Sequence, residues 1–189
     1  LLPDVTLSLD WCSHEAARYA VEHWHYSRRM PVGKVVRIGV WEDGEFIGCV
    51  LFAWGANRNL SSPFGLDMTE VAELVRVALT EHQAPVSQVV ADALRLLVQQ
   101  SPGLRLVVSF ADPLYGHHGG IYQAGNWIYT GQTAPKREFK VGAKVLNRRA
   151  YTGQQFGGGA ASRGQLPSNA TPFVVPGKHR YLMPLDRAM

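Results

Sequence analysis

Cysteine is nearly absent: Cys12 and Cys49 are the only two in 189 residues. They stand far apart with no CxxC spacing, which argues against a disulfide framework or a structural zinc site and for a reducing compartment. No apolar run approaches the ~18 residues of a membrane span, so no membrane partner is expected. The start, Leu1-Leu2-Pro3-Asp4, has no basic stretch leading into an apolar one. A signal peptide is therefore not expected, and the expected setting is cytoplasmic. Internal repeats are also missing. A hydrophobic fraction of 46% against 18% charged excludes a disordered chain. At this length one domain can bury roughly 70% of the surface its unfolded form exposes.

Charge is present but uneven. Residues 1–131 hold nine Lys and Arg against thirteen Asp and Glu, whereas residues 132–189 hold ten against two. The basic excess lies wholly in the C-terminal third, and aromatics interleave with it at Arg137-Glu138-Phe139-Lys140, Arg148-Arg149-Ala150-Tyr151 and Lys178-His179-Arg180-Tyr181. A solubilising tail would need no aromatics, so a polyanion, most simply nucleic acid, is the expected partner. The expected organisation is a core over residues 1–135 with a basic extension, 136–189, packed on the same domain.

The apolar pattern predicts a helix from Ser13, an N-cap residue, to about His25, then a polar basic loop over residues 26–33. Strands are predicted at 35–41 and 46–54 around Asp43-Gly44, a hairpin turn pair. A long loop is expected at 55–69 and a strand at 70–79. Val86, Val89, Val90, Ala93, Leu94 and Leu97 recur at helical spacing, so a helix is predicted over 85–100. A continuous apolar strand at 104–110 completes a βαβ unit, which crosses over right-handed. A short helix near 118–123, a strand at 127–130, an exposed loop over 153–170 and a last strand at 180–185 follow.

In such sheets ligands bind beyond the carboxyl ends of the strands. Residues 111–122 leave one of those ends and carry the densest cluster of reactive side chains. Asp112 follows an apolar strand, although a turn residue before Pro113 would look the same. Tyr122 could be a packed ring or a proton donor. His117 and His118 could contact substrate, act as a base or ligate metal, but adjacent side chains point different ways, which favours contacts over a metal pair. Gly116, Gly119 and Gly120 allow close backbone approach. Ser87 opens the long helix, either as a helix-start residue or as a ligand contact at its positive end. Arg76 sits inside an apolar strand and must pair, with Glu73 or Asp112, or face a cleft. The loop His25-Tyr26-Ser27-Arg28-Arg29 combines rings and charge suited to nucleic acid.

Long motifs in this chain resemble the phage Mom DNA-modification family. They are His25-Tyr26-Ser27 with Lys34, Glu73-Leu74-Val75-Arg76-Val77-Ala78-Leu79, Pro85-Val86-Ser87, Ser109-Phe110-Ala111-Asp112-Pro113, the run from Gly116 to Gly131, and Lys178-His179-Arg180-Tyr181-Leu182. The resemblance spans about residues 24–185. It implies an α/β fold related to the Gcn5-type N-acyltransferases, with a mixed, mostly antiparallel sheet flanked by helices. It also implies conversion of adenine in duplex DNA to its N6-carbamoylmethyl form, which shields phage DNA from restriction. It suggests Asp112 and Tyr122 as catalytic, with Ser87 and Arg76 in support. The expected contacts to substrate and DNA are His25, Tyr26, Ser27, Arg28, Lys34, His117, His118, Gly119, Lys136, Arg137, Arg148 and Arg149.

Related acyltransferases carry Arg/Gln-x-x-Gly-x-Gly/Ala after the strand at 70–79, where it cradles the pyrophosphate of coenzyme A. Here that loop reads Thr80-Glu81-His82-Gln83-Ala84-Pro85-Val86-Ser87, acidic and without glycine. Two group donors are therefore carried forward, glycyl-tRNA and a coenzyme A thioester. Double-stranded DNA is the expected partner, with charged tRNA and a second copy of the chain in a homodimer as further ones. Three rival readings stand beside this one: a coenzyme-A-dependent N-acetyltransferase of a protein or small amine, a non-catalytic nucleic-acid-binding module, and a redox enzyme with metal on His117, His118 or His25.

Overall fold

A computed structural model describes residues 5–53, 60–146 and 166–186. The elements are β1 (Leu7–Trp11), α1 (His14–Trp24), β2 (Val35–Glu42), β3 (Glu45–Ala53), β4 (Val71–Leu79), α2 (Val86–Gln100), β5 (Leu106–Ala111), α3 (Gly120–Ala124), β6 (Ile128–Gln132), β7 (Lys136–Val141), β8 (Lys144–Leu146), β9 (Thr171–Val175) and β10 (His179–Pro184). Seven strands form one sheet in the order β1-β2-β3-β4-β5-β10-β6. Every neighbouring pair in it is antiparallel except β4 and β5, which are parallel and joined through α2. This is the mixed, mostly antiparallel sheet expected.

The helices cover opposite faces because strand side chains alternate. On α1, Ser13 accepts a hydrogen bond from the Ala16 N–H and caps the helix. Its Ala17, Ala20 and Val21 pack on Cys49, Leu51 and Ala78. On the other face α2 presses Val89, Val90, Ala93, Leu94 and Leu97 against Val50, Phe52, Leu74 and Val107. Each fully buried Val, Leu or Phe contributes about 1.5–3 kcal/mol relative to exposure. Both cysteines are free thiols. Among the described residues no helix is long and apolar enough to cross a membrane.

Several elements differ from expectation. Leu7–Trp11 is an edge strand where none was predicted, and two short 3-10 turns, Ser62–Phe64 and Met68–Glu70, break the expected loop over 55–69. No strand was predicted for residues 136–175. They supply β7, β8 and β9, a separate three-stranded sheet in the order β8-β7-β9. The polar composition of Lys136–Val141 hid a strand that pairs with Lys144–Leu146 across a short turn and with Thr171–Val175 from farther along the chain. The expected loop over 153–170 lies mostly outside the described residues.

The parallel pair is short. Its register runs from Val71 opposite Leu106 to Leu74 opposite Ser109 and stops. Beyond that point β4 continues along β3 to Leu79, while β5 continues along β10 to Ala111. The strands part, and the sheet opens.

Candidate functional site

The parting of β4 and β5 makes a cavity of about 490 Å³, floored by Leu74 and Phe110 and closed at the side by the segment from Asp112 to Tyr122. Its size is in the range of small-molecule sites, about 300–1,000 Å³. Asp112, the strongest sequence candidate, caps a short turn: its Oδ1 accepts from the Leu114 N–H at 3.1 Å. Its Oδ2 lies 2.8 Å from Lys178 Nζ, and the residue is only 6% exposed. The buried carboxylate thus has a cation at hand, which offsets part of the cost of its desolvation. Lys178 was legible only as one of a basic cluster. The contact joins residues 66 positions apart, and no local spacing announces it.

Tyr122 reaches the cavity from α3. It is 8% exposed, with its ring 5.0 Å from Trp127 and 5.1 Å from Tyr181. Ser109 Oγ lies 2.7 Å from the phenol oxygen and 2.9 Å from the Leu74 carbonyl. A serine hydroxyl has one proton and a carbonyl only accepts. When that proton goes to Leu74, the phenol donates to Ser109; when it turns to the phenol oxygen, the phenol proton is free to face the cavity. Burial, first of all, pushes the phenol up to about 12; the Ser109 hydrogen bond opposes it, and Tyr26, Glu73 and Tyr181 add to it. Tyr122 therefore stays protonated at neutral pH. Ser109 was not singled out as a site residue by the sequence, where it reads as one small residue in an apolar strand.

The mouth is aromatic. The Tyr26 ring sits 4.3 Å from His25, 4.6 Å from Tyr115 and 4.8 Å from His117, and Tyr26 and Tyr115 are each about half exposed. His25 Nδ1 accepts from the Ser27 N–H at 3.1 Å and lies 2.8 Å from Ser27 Oγ. Burial, helped by the charge of Arg76 and by His117, lowers the His25 pKa to about 4, so the ring is neutral at pH 7. Gly119 holds φ 86, a left-handed conformation, and any Cβ there would strike the Tyr181 ring. The Tyr181 hydroxyl in turn donates to the His118 carbonyl at 2.7 Å and fixes the loop.

Arg76 lines the cavity, but its hydrogen bonds go to the Val75 carbonyl at 2.7 Å and the Arg29 carbonyl at 3.4 Å. Of the alternatives weighed for Arg76, it faces the cleft, while the Asp112 carboxylate pairs with Lys178. Arg76 instead acts with Lys178 on nearby Glu73, whose carboxyl burial pushes up and these two cations pull back down. His25, Tyr26, Arg76, Asp112, His117, His118, Gly119 and Tyr122 are thus brought to one opening. Ser87 is not among them. It sits in the first turn of α2, away from the cavity lining, because the helix starts beyond the strand end rather than over it. Arg28 and Lys34 are exposed on the loop before β2, and Lys136 and Arg137 on β7. Arg148 and Arg149 lie outside the described residues. Among the described residues no group of three or more His, Cys, Asp or Glu is arranged to hold a metal ion.

A sequence model of the Mom protein family matches residues 6–189. The chain belongs to the Mom protein family. It is similar to the methylcarbamoylase mom of Escherichia phage Mu, 29% identical over 119 residues, which cover 61% of this chain and 49% of that protein. The match therefore spans about half the length of the curated relative. The fold is that of the Gcn5-related acetyltransferases. The aminoglycoside acetyltransferase AAC(6')-Ib in complex with coenzyme A and kanamycin superposes with a TM-score of 0.55 at 10% identity, covering 95% of each chain. A Bacillus subtilis acetyltransferase in complex with coenzyme A gives 0.52 at 11% identity, covering 97% of this chain and 100% of the other. A spermidine N-acetyltransferase chimera from Vibrio cholerae and hSSAT also gives 0.52 at 11% identity, covering 94% of this chain and 95% of the other.

Proposed function

We propose that this chain is a DNA-modifying transferase that converts adenine in duplex DNA to N6-carbamoylmethyladenine and so protects that DNA from restriction. The observation that carries the reading is the opening between β4 and β5, where a protonated phenol and a buried carboxylate share one cavity behind an aromatic mouth. Adenine N6 is buried in the base pair, so the base must be flipped out at a cost of a few kcal/mol. Stacking on an aromatic ring returns about 1–3 kcal/mol per base. Tyr26 and Tyr115 stand together at the mouth and supply that stack.

An acyl-transfer scaffold suggests how the group arrives. N6 attacks the carbonyl of an activated glycyl ester, such as glycyl-tRNA, and the tRNA hydroxyl leaves. The product is N6-glycyladenine. Its free amine then attacks purine C6 through a five-membered ring, the C6–N6 bond breaks, and N6 departs as the terminal amide. No atom is gained or lost in this second step, and the result is the carbamoylmethyl isomer.

In this scheme Tyr122 donates to the carbonyl oxygen as negative charge develops there. The turning of the Ser109 hydroxyl releases the proton for that purpose. Asp112 keeps lone pairs beyond those used by Leu114 and Lys178, and these accept a proton from N6. Lys136 and Arg137, on the exposed face of β7, hold phosphates.

The test supplies purified chain and duplex DNA with either glycyl-tRNA carrying isotope-labelled glycine or a labelled coenzyme A thioester, then digests the DNA to nucleosides. Label in an adenine nucleoside only with glycyl-tRNA is the expected result. Label from the thioester alone would replace the donor, and no label in adenine from either would overturn the assignment.

A further inference from the structure

The two acetyltransferases named above that were captured with coenzyme A are similar to this chain in fold. In that fold the loop between β4 and α2 is where a pyrophosphate is cradled by backbone N–H groups. Whether this chain can use the loop that way is decided by what its amides already hold.

Glu42 ends β2 and is 8% exposed. Its carboxylate accepts from the Gln83 N–H through both oxygens at 3.0 Å, and Oε1 also accepts from the Ala84 N–H at 2.7 Å. Two further loop positions have no N–H to give. The Thr80 N–H donates to the Ile47 carbonyl at 2.9 Å, and Pro85 has no N–H. The His82 ring is drawn back to the Thr80 carbonyl, 2.7 Å from Nδ1, and Glu81 adds a second negative side chain. No residue from 80 to 85 is glycine, so every position bears a Cβ that keeps a ligand off the backbone. A diphosphate arriving here would meet two carboxylates. To reach the amides it would have to expel one of them from a buried site with three charge-assisted hydrogen bonds, each among the stronger kinds in proteins.

We infer that Glu42 is a built-in anion that fills the cofactor cradle of this fold, so the group donor is not anchored by a diphosphate at the start of α2. The carboxylate sits just ahead of the 15-residue α2, whose N-terminal end favours negative charge. The donor is then held by other surfaces, and only its reactive end needs to enter between β4 and β5. This conclusion is independent of which amine the cavity takes.

The test uses isotope-labelled full-length chain, in which the Gln83 and Ala84 amide resonances report directly on the cradle. Coenzyme A and, separately, inorganic pyrophosphate are titrated to millimolar concentrations. Neither amide is expected to shift, and the melting temperature is expected to stay constant. Glu42→Ala should lower the melting temperature by about 4 °C or more, since the buried Ala84 N–H and the part-buried Gln83 N–H lose their partner. It should also speed solvent exchange of the two amides by at least about tenfold. Glu42→Gln, which keeps one acceptor oxygen, should fall between. A saturable shift of Gln83 and Ala84 with coenzyme A in the wild-type chain would overturn the inference, as would unchanged stability and exchange in Glu42→Ala. Adenine modification is read separately, so failure of that function leaves these measurements interpretable.

Discussion

Replacing Tyr122 with Phe removes one oxygen and leaves the ring. The packing against Trp127 and Tyr181 survives, because those contacts are made by ring carbons. Ser109 loses the phenol but keeps the Leu74 carbonyl as the acceptor for its one proton. No buried donor is therefore stranded, and the stability cost is that of one ordinary hydrogen bond, about 0.5–1.5 kcal/mol. For a chain of this size that lowers the melting temperature by only about 2–6 °C. The effect on chemistry should be far larger. If the phenol is the donor that meets the developing oxyanion, its loss costs about 10²–10³ in rate. The assay follows the fraction of adenines modified in plasmid DNA with time, alongside DNA affinity by fluorescence anisotropy. The expected variant is folded, binds DNA as before and modifies almost none of it. Modification within about threefold of wild type, at unchanged affinity, would refute a chemical role for Tyr122.

Three further outcomes follow from the geometry. His25 has its folded pKa lowered from an ordinary 6.5 to about 4, so between those values the unfolded chain binds more protons than the folded one. Its contribution to stability is complete above about pH 6.5 and is lost as the pH falls toward 4. The ceiling is about 3 kcal/mol, and solvent at the cavity mouth reduces this to roughly 1–2 kcal/mol. Denaturant midpoints at pH 7 and pH 4.5 should show that loss, and His25→Gln should shrink it; an equal slope in both chains would contradict it. Gly119→Ala should cost more than about 2 kcal/mol, because the left-handed backbone and the Tyr181 ring both resist a methyl group. A melting temperature within about 1 °C of wild type would mean the loop is free to move. Lys136→Ala with Arg137→Ala should flatten the salt dependence of DNA binding by roughly two units of slope; an unchanged slope would take the phosphates elsewhere.

How much of this was readable beforehand depends on whether the cause was local. The α2 stripe from Val89 to Leu97 and the apolar run Leu106–Ala111 are local signals, and they located the βαβ unit and its open end. Asp112 and Tyr122 were placed near that open end because both follow the strand within a dozen residues; their catalytic roles are what the family resemblance implies. Ser13 marked its helix because a cap acts three residues away. What escaped depends on long-range partners. Leu7–Trp11 alternates apolar and polar but is too short to stand out without β2 beside it. Lys136–Val141 reads as a charge cluster until β8 and β9 flank it. Lys178 reaches Asp112 only after β10 has entered the sheet between β5 and β6, and Glu42 finds Gln83 and Ala84 across 41 and 42 residues. Ser87 stands in the first turn of α2, the helix start it was read as, and is not among the residues that line the cavity.

The most direct measurement is mass spectrometry of nucleosides from the DNA of cells expressing either the wild-type chain or Tyr122→Phe. The account predicts N6-carbamoylmethyladenine with the first and unmodified deoxyadenosine with the second. Adenine left unmodified by the wild-type chain, or modified equally by both, would contradict it.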